Sequence, residues 1–153
     1  MQVLELKIPP VAFGVLVATL MWLASWRVPA FGFEFPLRGL LSVSVAVAGA
    51  IVSGLGIVSF RQARTTVNPM KPDAASSLVV SGVYRLTRNP MYLGFLLILL
   101  GWAIFLSNVL AFLFLPAFVF YINHFQIEPE EKALRSLFGP QFAAYITRVR
   151  RWL

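Results

Sequence analysis

Residues 91–125 read MYLGFLLILLGWAIFLSNVLAFLFLPAFVFYINHF, a stretch of two apolar runs that are joined at Ser107 and Asn108. Each run, 91–107 and 109–125, has 17 residues and contains no Asp, Glu, Lys or Arg. Helices of that length are at the short end of those that cross a bilayer. Because only a polar Ser-Asn pair separates the runs, the stretch predicts a tight hairpin of two transmembrane helices.

The composition of the whole chain is that of an integral membrane protein. Of its 153 residues, 59% are hydrophobic and 12% are charged, whereas a soluble domain has about 25% charged residues. The mean hydropathy is +0.79. Two further apolar stretches, 8–26 and 39–60, precede the hairpin. We therefore predict an all-α fold with about four transmembrane helices.

We expect one membrane-embedded domain, 1–153, in four parts. Residues 1–60 form two N-terminal spans, 61–90 a cytosolic loop, 91–125 the helical hairpin and 126–153 cytosolic C-terminal helices. A polar loop as long as 61–90 is either a functional lid or a disordered link, and we favour the lid.

The C-terminal part has the pattern of two short helices. Gly139-Pro140 predicts the end of the first. The second is amphipathic, with Phe142, Tyr145, Val149 and Trp152 on one face. Its basic residues predict contact with anionic lipid headgroups; these are Arg148, Arg150 and Arg151.

The basic residues also predict the orientation in the membrane. Only Arg27 and Arg38 fall on one side of the predicted spans. The others fall on the opposite side: Lys7, Arg61, Arg64, Lys71, Arg85, Arg88, Lys132, Arg135, Arg148, Arg150 and Arg151. The positive-inside rule then places both termini in the cytoplasm. The weak n-region, with Glu5 and Lys7, argues against a cleaved signal peptide. The small four-span size indicates a bacterial inner-membrane protein.

Small residues recur along the second span at intervals of four: Ser42, Ala46, Ala50 and Gly54. Such a ridge lets helix backbones approach closely. It predicts packing against the first helix or, alternatively, a homodimer contact through the second helix.

Some kinds of chemistry are excluded by composition. The chain has no cysteine, which rules out disulfides, thiolate metal sites and a thiol nucleophile. It has one histidine, His124, so we expect no metal site. We also expect no nucleic-acid partner.

Two polar clusters fall on the predicted cytoplasmic side. Residues 82–94 read GVYRLTRNPMYLG, and residues 128–131 read EPEE. Charged and aromatic groups at a membrane boundary are costly to desolvate, so they invite a functional interpretation. The two clusters could frame one site.

The ordered set of these motifs resembles the isoprenylcysteine carboxyl methyltransferase family and its phospholipid methyltransferase relatives. The resemblance covers about three-fifths of the chain, from residue 60 to the end. Its pieces are Leu78-Val79, Ser81-Gly82-Val83-Tyr84, residues 88–94 (RNPMYLG), residues 130–134 (EEKAL), Phe138-Gly139, Tyr145 and residues 149–152 (VRRW).

The resemblance implies a membrane enzyme that binds S-adenosylmethionine and methylates a lipophilic acceptor. The positions that it assigns to cofactor binding are Ser76, Ser77, Leu78, Val79, Tyr84, Asn89, Pro90, Met91, Tyr92 and Glu130. The glutamate can pair with the cofactor ammonium or accept ribose hydrogen bonds, and the tyrosines can stack on adenine or face the sulfonium.

Three further residues are candidates for catalysis or substrate contact. Arg88, or alternatively Arg85, can hold the cofactor carboxylate. Glu131 is the candidate base if the acceptor is an amine. Gln126 takes the position of an arginine that contacts the substrate carboxylate in eukaryotic members, so it is the candidate substrate residue.

Structural roles compete with each of these assignments. The arginines can be positive-inside anchors, the tyrosines interfacial belt residues, and Glu130 and Glu131 residues that favour a helix N-terminus. His124 is more simply an interfacial or hydrogen-bonded histidine.

Two other functions also compete. Membrane sterol reductases, which use NADPH, have a similar C-terminal pattern. A non-catalytic four-helix membrane scaffold would need no site at all.

Overall fold

The computed structural model describes residues 8–64 and 76–153. Predictions that concern Lys7, Lys71 or the middle of the 61–90 loop lie outside these residues. The described part is helical without β-strands, and its five α-helices are α1 (Pro10–Arg27), α2 (Arg38–Gln62), α3 (Pro90–Leu106), α4 (Val109–Ile122) and α5 (Glu128–Ile146). Short 3-10 helices cover Pro29–Phe31 and Gly82–Arg85, and a π-helical turn covers Asn123–Ile127.

The predicted all-α membrane fold is confirmed. Three helices are long and apolar enough to cross a membrane: α1, α2 and the continuous helical stretch Val109–Ile146. α3 is apolar throughout and has 17 residues. The apolar part of Val109–Ile146 ends near Ile127, because Glu128, Glu130 and Glu131 follow. Those carboxylates therefore lie beyond the span.

The predicted hairpin turn forms at Ser107 and Asn108. Ser107 adopts a left-handed conformation with φ 49°, which reverses the chain after α3. The Asn108 side chain then accepts a hydrogen bond from the Leu110 amide at 3.0 Å and caps α4. Its Nδ2 also donates to the Val28 carbonyl at 3.0 Å, tying the turn to the end of α1.

Close packing of α2 on α3 corrects the prediction for the small-residue ridge. The buried face of α2 carries Ser42, Gly49, Ser53 and Gly56, whereas Ala50 is exposed. This face lies on α3 rather than α1: a Cβ atom added to Gly49 would lie 2.6 Å from the Gly94 carbonyl oxygen. Residues spaced four apart do not stay on one face of a helix, because a helix has about 3.6 residues per turn, so the predicted ridge leaves the face that contacts α3. The homodimer stays a prediction, and it would need another face of α2.

α1 packs mainly on α4 and contributes to the hydrophobic core. Val17, Met21, Phe118 and Ile122 are buried there. The ring of Phe13 stacks on Tyr121 of the α4 helix, with centroids 3.7 Å apart. This core fixes the direction in which α4 leaves the membrane and continues towards α5.

α5 continues the α4 helix and does not begin as a separate helix. The residue before it, Ile127, has helical dihedrals, and the Glu128 amide donates back to the Asn123 carbonyl. The first turn of α5 therefore lacks the free amides of a helix start, so helix-end electrostatics do not account for its glutamates. At Gly139, φ is 44° and the helix kinks, as the Gly139-Pro140 pair predicts. The second segment ends at Ile146, short of the predicted amphipathic face at Val149 and Trp152.

Candidate functional site

A cavity lies where the end of α2, the segment before α3 and the two halves of α5 meet. Its volume is about 90 Å³. Small-molecule pockets usually measure about 300–1,000 Å³, so a cofactor would fill this cavity and extend past its rim. The cavity is lined by Phe60, Ser77, Leu78, Val79, Tyr84, Arg88, Asn89, Met91, Tyr92, Glu130, Glu131, Leu134, Phe142 and Tyr145.

Most of the residues proposed from the sequence line this one cavity. Of the candidate cofactor residues, only Ser76 and Pro90 are absent from the lining. The Ser76 hydroxyl donates to the Arg64 carbonyl at 3.3 Å. Pro90 is buried in the first turn of α3. Both candidate catalytic residues, Arg88 and Glu131, are in the lining.

Glu130 and Tyr92 form a hydrogen-bonded pair inside the cavity. The Tyr92 hydroxyl donates to Oε1 of Glu130. Burial raises the pKa of Glu130 from about 4.5 to about 8, and the nearby Glu131 adds to the rise, while the Tyr92 hydrogen bond opposes it. The Glu130 carboxyl therefore holds its proton to a higher pH than an exposed glutamate does.

Glu131 has a different environment, since two arginines hold its carboxylate. Arg151 donates to it through Nε at 3.2 Å and Nη2 at 2.8 Å, and Nη1 of Arg88 lies 3.2 Å away. The side chains of Arg88 and Glu131 are 14% and 13% exposed. Both oxygens of this carboxylate are therefore engaged by charged donors.

Arg88 keeps one donor unused. Its Nε is buried and has no hydrogen-bond partner among the described residues. A buried unpaired donor on a charged group is costly unless a ligand or water satisfies it.

The C-terminal tail is hydrogen-bonded to the segment before α3. The Arg88 amide donates to the Arg150 carbonyl at 3.0 Å, and the side chains of Thr87 and Asn89 donate to the Arg151 carbonyl at 3.2 and 3.0 Å. Trp152 Nε1 donates to the Asn123 side chain at 3.0 Å. The headgroup role predicted for Arg151 is therefore wrong, because its guanidinium turns inward to Glu131.

Aromatic residues form another part of the lining. Tyr84 is buried, and its ring meets Phe60 edge-on with centroids 5.3 Å apart. The Tyr145 hydroxyl donates to the Tyr84 carbonyl at 2.7 Å. Burial raises the pKa of both tyrosines above their ordinary value, so both phenols stay neutral at physiological pH.

Gln126 is not brought to the cavity. It is fully buried, and its Nε2 donates to the Ile8 carbonyl at 2.9 Å, which ties the π-helical turn to the start of α1. His124 lies 3.2 Å from Glu128, also outside the cavity lining.

The sequence did not identify several lining residues as part of the site. These are Phe60, Leu134, Phe142 and Tyr145. The sequence also did not identify Arg151, which lies outside the lining and donates to Glu131. The helical spacing of Phe142 and Tyr145 indicated a shared apolar face, but not that the face would cover a cavity. No local pattern indicated Phe60, since it ends a long apolar span.

Comparison with known proteins places most of the chain in one family. Residues 37–141 match the family described as phospholipid methyltransferase. The chain is 51% identical over 63 residues, 41% of its length, to the full length of an uncharacterized protein of Haemophilus influenzae.

The chain is also similar to plant proteins. One is a probable protein-S-isoprenylcysteine O-methyltransferase of Oryza sativa subsp. indica, 28% identical over 120 residues, which are 78% of this chain and 63% of the relative. Another is the protein-S-isoprenylcysteine O-methyltransferase B of Arabidopsis thaliana, 27% identical over 107 residues, 70% of this chain and 54% of the relative. The chain thus spans little more than half the length of these plant relatives. No solved structure matches it significantly.

Proposed function

This chain belongs to the phospholipid methyltransferase family, and on that premise we propose that it transfers a methyl group from S-adenosylmethionine to a lipophilic acceptor. The similarity to proteins named protein-S-isoprenylcysteine O-methyltransferases supports methyl transfer. We further propose that 1–153 acts as one domain, with the cavity on the cytosolic side of a bacterial inner membrane.

The pairing of opposite charges in one cavity carries the proposal. Glu130 offers a carboxyl group, and Arg88 offers a buried Nε–H without a partner among the described residues. The methionine end of the cofactor bears an ammonium and a carboxylate, so the donor set fits it. Glu130 would hold the ammonium and Arg88 the carboxylate.

The aromatic part of the lining suits the other end of the cofactor. Phe60, Tyr84 and Phe142 are aromatic residues of the cavity lining. An adenine ring can stack on such rings, and the Tyr92 hydroxyl or ring can lie near a sulfonium. Neutral tyrosines are suited to these contacts, because stacking on adenine or lying near the sulfonium requires no proton transfer.

S-adenosylmethionine would supply an electrophilic methyl group on a positively charged sulfur. The residues of this chain would position it and keep water away from it. Holding the two reactants in line can provide about 7–11 kcal/mol of the barrier reduction. Anchoring at Glu130 and Arg88 fixes the direction of the methyl group.

The two adjacent glutamates would have separate roles. Glu130 would hold the cofactor ammonium, so it is not free to take a proton from an amine acceptor. Glu131, proposed from the sequence as the base, is engaged by Arg88 and Arg151 and would act as the residue that positions Arg88. An anionic acceptor, such as a carboxylate, would need no base.

The acceptor would approach from the bilayer. Met91 and Tyr92 open the apolar helix α3 and also line the cavity, so the cavity lies at the level where α3 enters the membrane. An apolar chain could remain in the lipid while its polar end reached the methyl group. The contacts of Gln126 give no support for its proposed part in substrate recognition.

Direct binding of the cofactor tests the proposal. We expect saturable binding of S-adenosylmethionine to the detergent-purified chain, loss of binding in Glu130→Ala, and no displacement by NADPH. Glu128→Ala is the matched control, because Glu128 is a half-exposed neighbour outside the cavity lining.

The rival functions predict other results. Saturable NADPH binding without S-adenosylmethionine binding would indicate a reductase. Binding of neither by folded protein would leave the scaffold hypothesis. Where S-adenosylmethionine binds, transfer of its labelled methyl group into a lipid extract would identify the acceptor class.

A further inference from the structure

A second pocket lies beside the candidate site, on the outer face of α5. It has a volume of about 460 Å³ and is lined by Val80, Arg85, Gln141, Ala144, Tyr145, Arg148 and Val149. We infer that this pocket binds the phosphate-bearing headgroup of an anionic phospholipid. The inference does not rest on the methyltransferase proposal.

The charge of the pocket is positive and unbalanced. Arg85 and Arg148 both line it, and no acidic residue does so in the described part of the chain. Within that part, neither arginine forms an ion pair, whereas Arg88 and Arg151 are both paired with Glu131. Two free guanidinium groups and the amide of Gln141 form a donor set suited to phosphate oxygens.

The position of the pocket favours a lipid over a free anion. Arg85 lies five residues before Pro90, where the apolar helix α3 begins. Val80, Ala144 and Val149 add apolar side chains to the lining, and Val80 is 45% exposed. A free phosphate would gain nothing from these residues, but a lipid can place its headgroup on the arginines and its glycerol and first methylenes on the apolar side chains.

This pocket is separate from the candidate site although it adjoins it. Tyr145 lines both, and its hydroxyl is held by the Tyr84 carbonyl at 2.7 Å. Arg85 and Arg148 take no part in the lining of the cavity that contains Glu130. The pocket therefore gives a role to Arg85 and Arg148 that the methyltransferase proposal does not use.

Native mass spectrometry of the full chain in a non-ionic detergent tests the inference. The purified protein is titrated with phosphatidylglycerol and, separately, with phosphatidylcholine, and bound lipid is counted. We expect phosphatidylglycerol to bind at least about tenfold more tightly, because phosphatidylcholine has no net charge. In R85Q/R148Q, the affinity for phosphatidylglycerol should fall about tenfold or more, and each single variant should lose part of it.

The matched control is R61Q/K132Q. Arg61 and Lys132 are exposed, lie on the same side of the helices and are absent from the pocket. This variant loses the same charge and should keep its affinity for phosphatidylglycerol within about twofold. All of these side chains are exposed, so circular dichroism should show wild-type helix content in every variant.

Three results would overturn the inference. One is unchanged phosphatidylglycerol binding in R85Q/R148Q. Another is an equal loss in R61Q/K132Q, which would show non-specific attraction to the basic face. The third is displacement of the lipid by an equal concentration of inorganic phosphate, which would show a pocket for a free anion.

Discussion

The Tyr92 hydroxyl donates a hydrogen bond to the Glu130 carboxyl, and this contact joins the first turn of α3 to the first turn of α5. The two residues are 38 positions apart in the sequence. Between them lies the whole helical hairpin, which carries the chain across the membrane and back. The length and turn of the hairpin therefore determine whether the two polar clusters meet, because a longer or frayed turn would separate the donor from the acceptor.

Removing the Tyr92 hydroxyl should weaken cofactor binding without unfolding the protein. In Tyr92→Phe, the Glu130 carboxyl loses a hydrogen bond that lowers its pKa, so its pKa should rise further above 8. Hydrogen bonds to charged groups are worth about 1.5–3 kcal/mol, so the affinity for S-adenosylmethionine at pH 7.5 should fall about tenfold or more. Isothermal titration calorimetry in detergent measures it.

Tyr121→Phe provides the control for that experiment. The Tyr121 hydroxyl is buried and makes no hydrogen bond to any residue that the structure describes. This variant should bind the cofactor like the wild type. Equal losses in the two variants would show that the Tyr92–Glu130 contact has no special part in binding.

Cofactor binding should depend on pH through Glu130. Because the pKa of Glu130 is about 8, its carboxyl is mostly protonated at pH 6 and ionised above pH 8. If the ionised form holds the cofactor, affinity should rise up to tenfold per pH unit below pH 8 and then level off. Glu130→Gln should bind weakly and with a flat profile over pH 6–9. A wild-type profile that is equally flat would contradict the assignment of Glu130.

The same group should lower stability at high pH. The pKa of Glu130 is raised from about 4.5 to about 8 on folding, so the unfolded chain releases this proton more easily. Its contribution to folding is complete below pH 4.5 and is lost progressively as the pH rises to 8. The melting temperature of the wild type should therefore fall more steeply across this window than that of Glu130→Gln. Matching slopes would show that Glu130 ionises freely in the folded protein.

The sequence was sufficient to predict the spans and most of the cavity lining, for physical reasons. A bilayer requires long apolar helices, so the lengths of these runs indicated the architecture directly. The Ser107-Asn108 turn is also local, since Asn108 caps the helix that follows it. Residues 77–92 and 130–131 could be assigned because they match a family pattern.

Contacts that depend on distant packing could not be predicted in the same way. Nothing near Arg151 in the sequence indicates that it faces Glu131, 20 residues away, instead of lipid. Whether α2 packs on α1 or on α3 depends on which of these helices carries glycines opposite the small residues of α2. Gly94 and Gly101 meet that condition on α3.

The ion-pair cluster behind the cavity should be strongly coupled. Glu131→Gln leaves Arg88 and Arg151 largely buried without a full counter-charge. Breaking a buried pair from one side costs about 3–5 kcal/mol, and the partial exposure of Arg151 places this change near the lower value. In a double-mutant cycle, Arg151→Gln combined with Glu131→Gln should cost clearly less than the sum of the two single changes. Additive costs, measured by denaturant unfolding in detergent, would show that the pair is energetically independent.

The α2–α3 contact should not tolerate even one added methyl group. A Cβ at Gly94 would meet Ser53 and the Gly49 backbone, so Gly94→Ala must push the helices apart. Overpacking of this kind costs about 1–3 kcal/mol. Gly54→Ala is the matched control on α2, because its Cβ would meet nothing within 4 Å. It should be neutral or slightly stabilising, since alanine favours a helix over glycine. Similar melting temperatures for both variants would contradict the close approach.

Substitution of Gln126 separates a structural role from substrate recognition. Gln126→Leu removes the hydrogen bond to the Ile8 carbonyl and leaves that carbonyl unpaired, which should cost about 1–3 kcal/mol of stability. Because Gln126 lies outside the cavity lining, the affinity for S-adenosylmethionine and the KM for the acceptor should stay within about twofold of the wild type. The contrary result is a large increase in KM at unchanged melting temperature. That result would restore Gln126 to the acceptor site and would require the acceptor to reach the π-helical turn between α4 and α5.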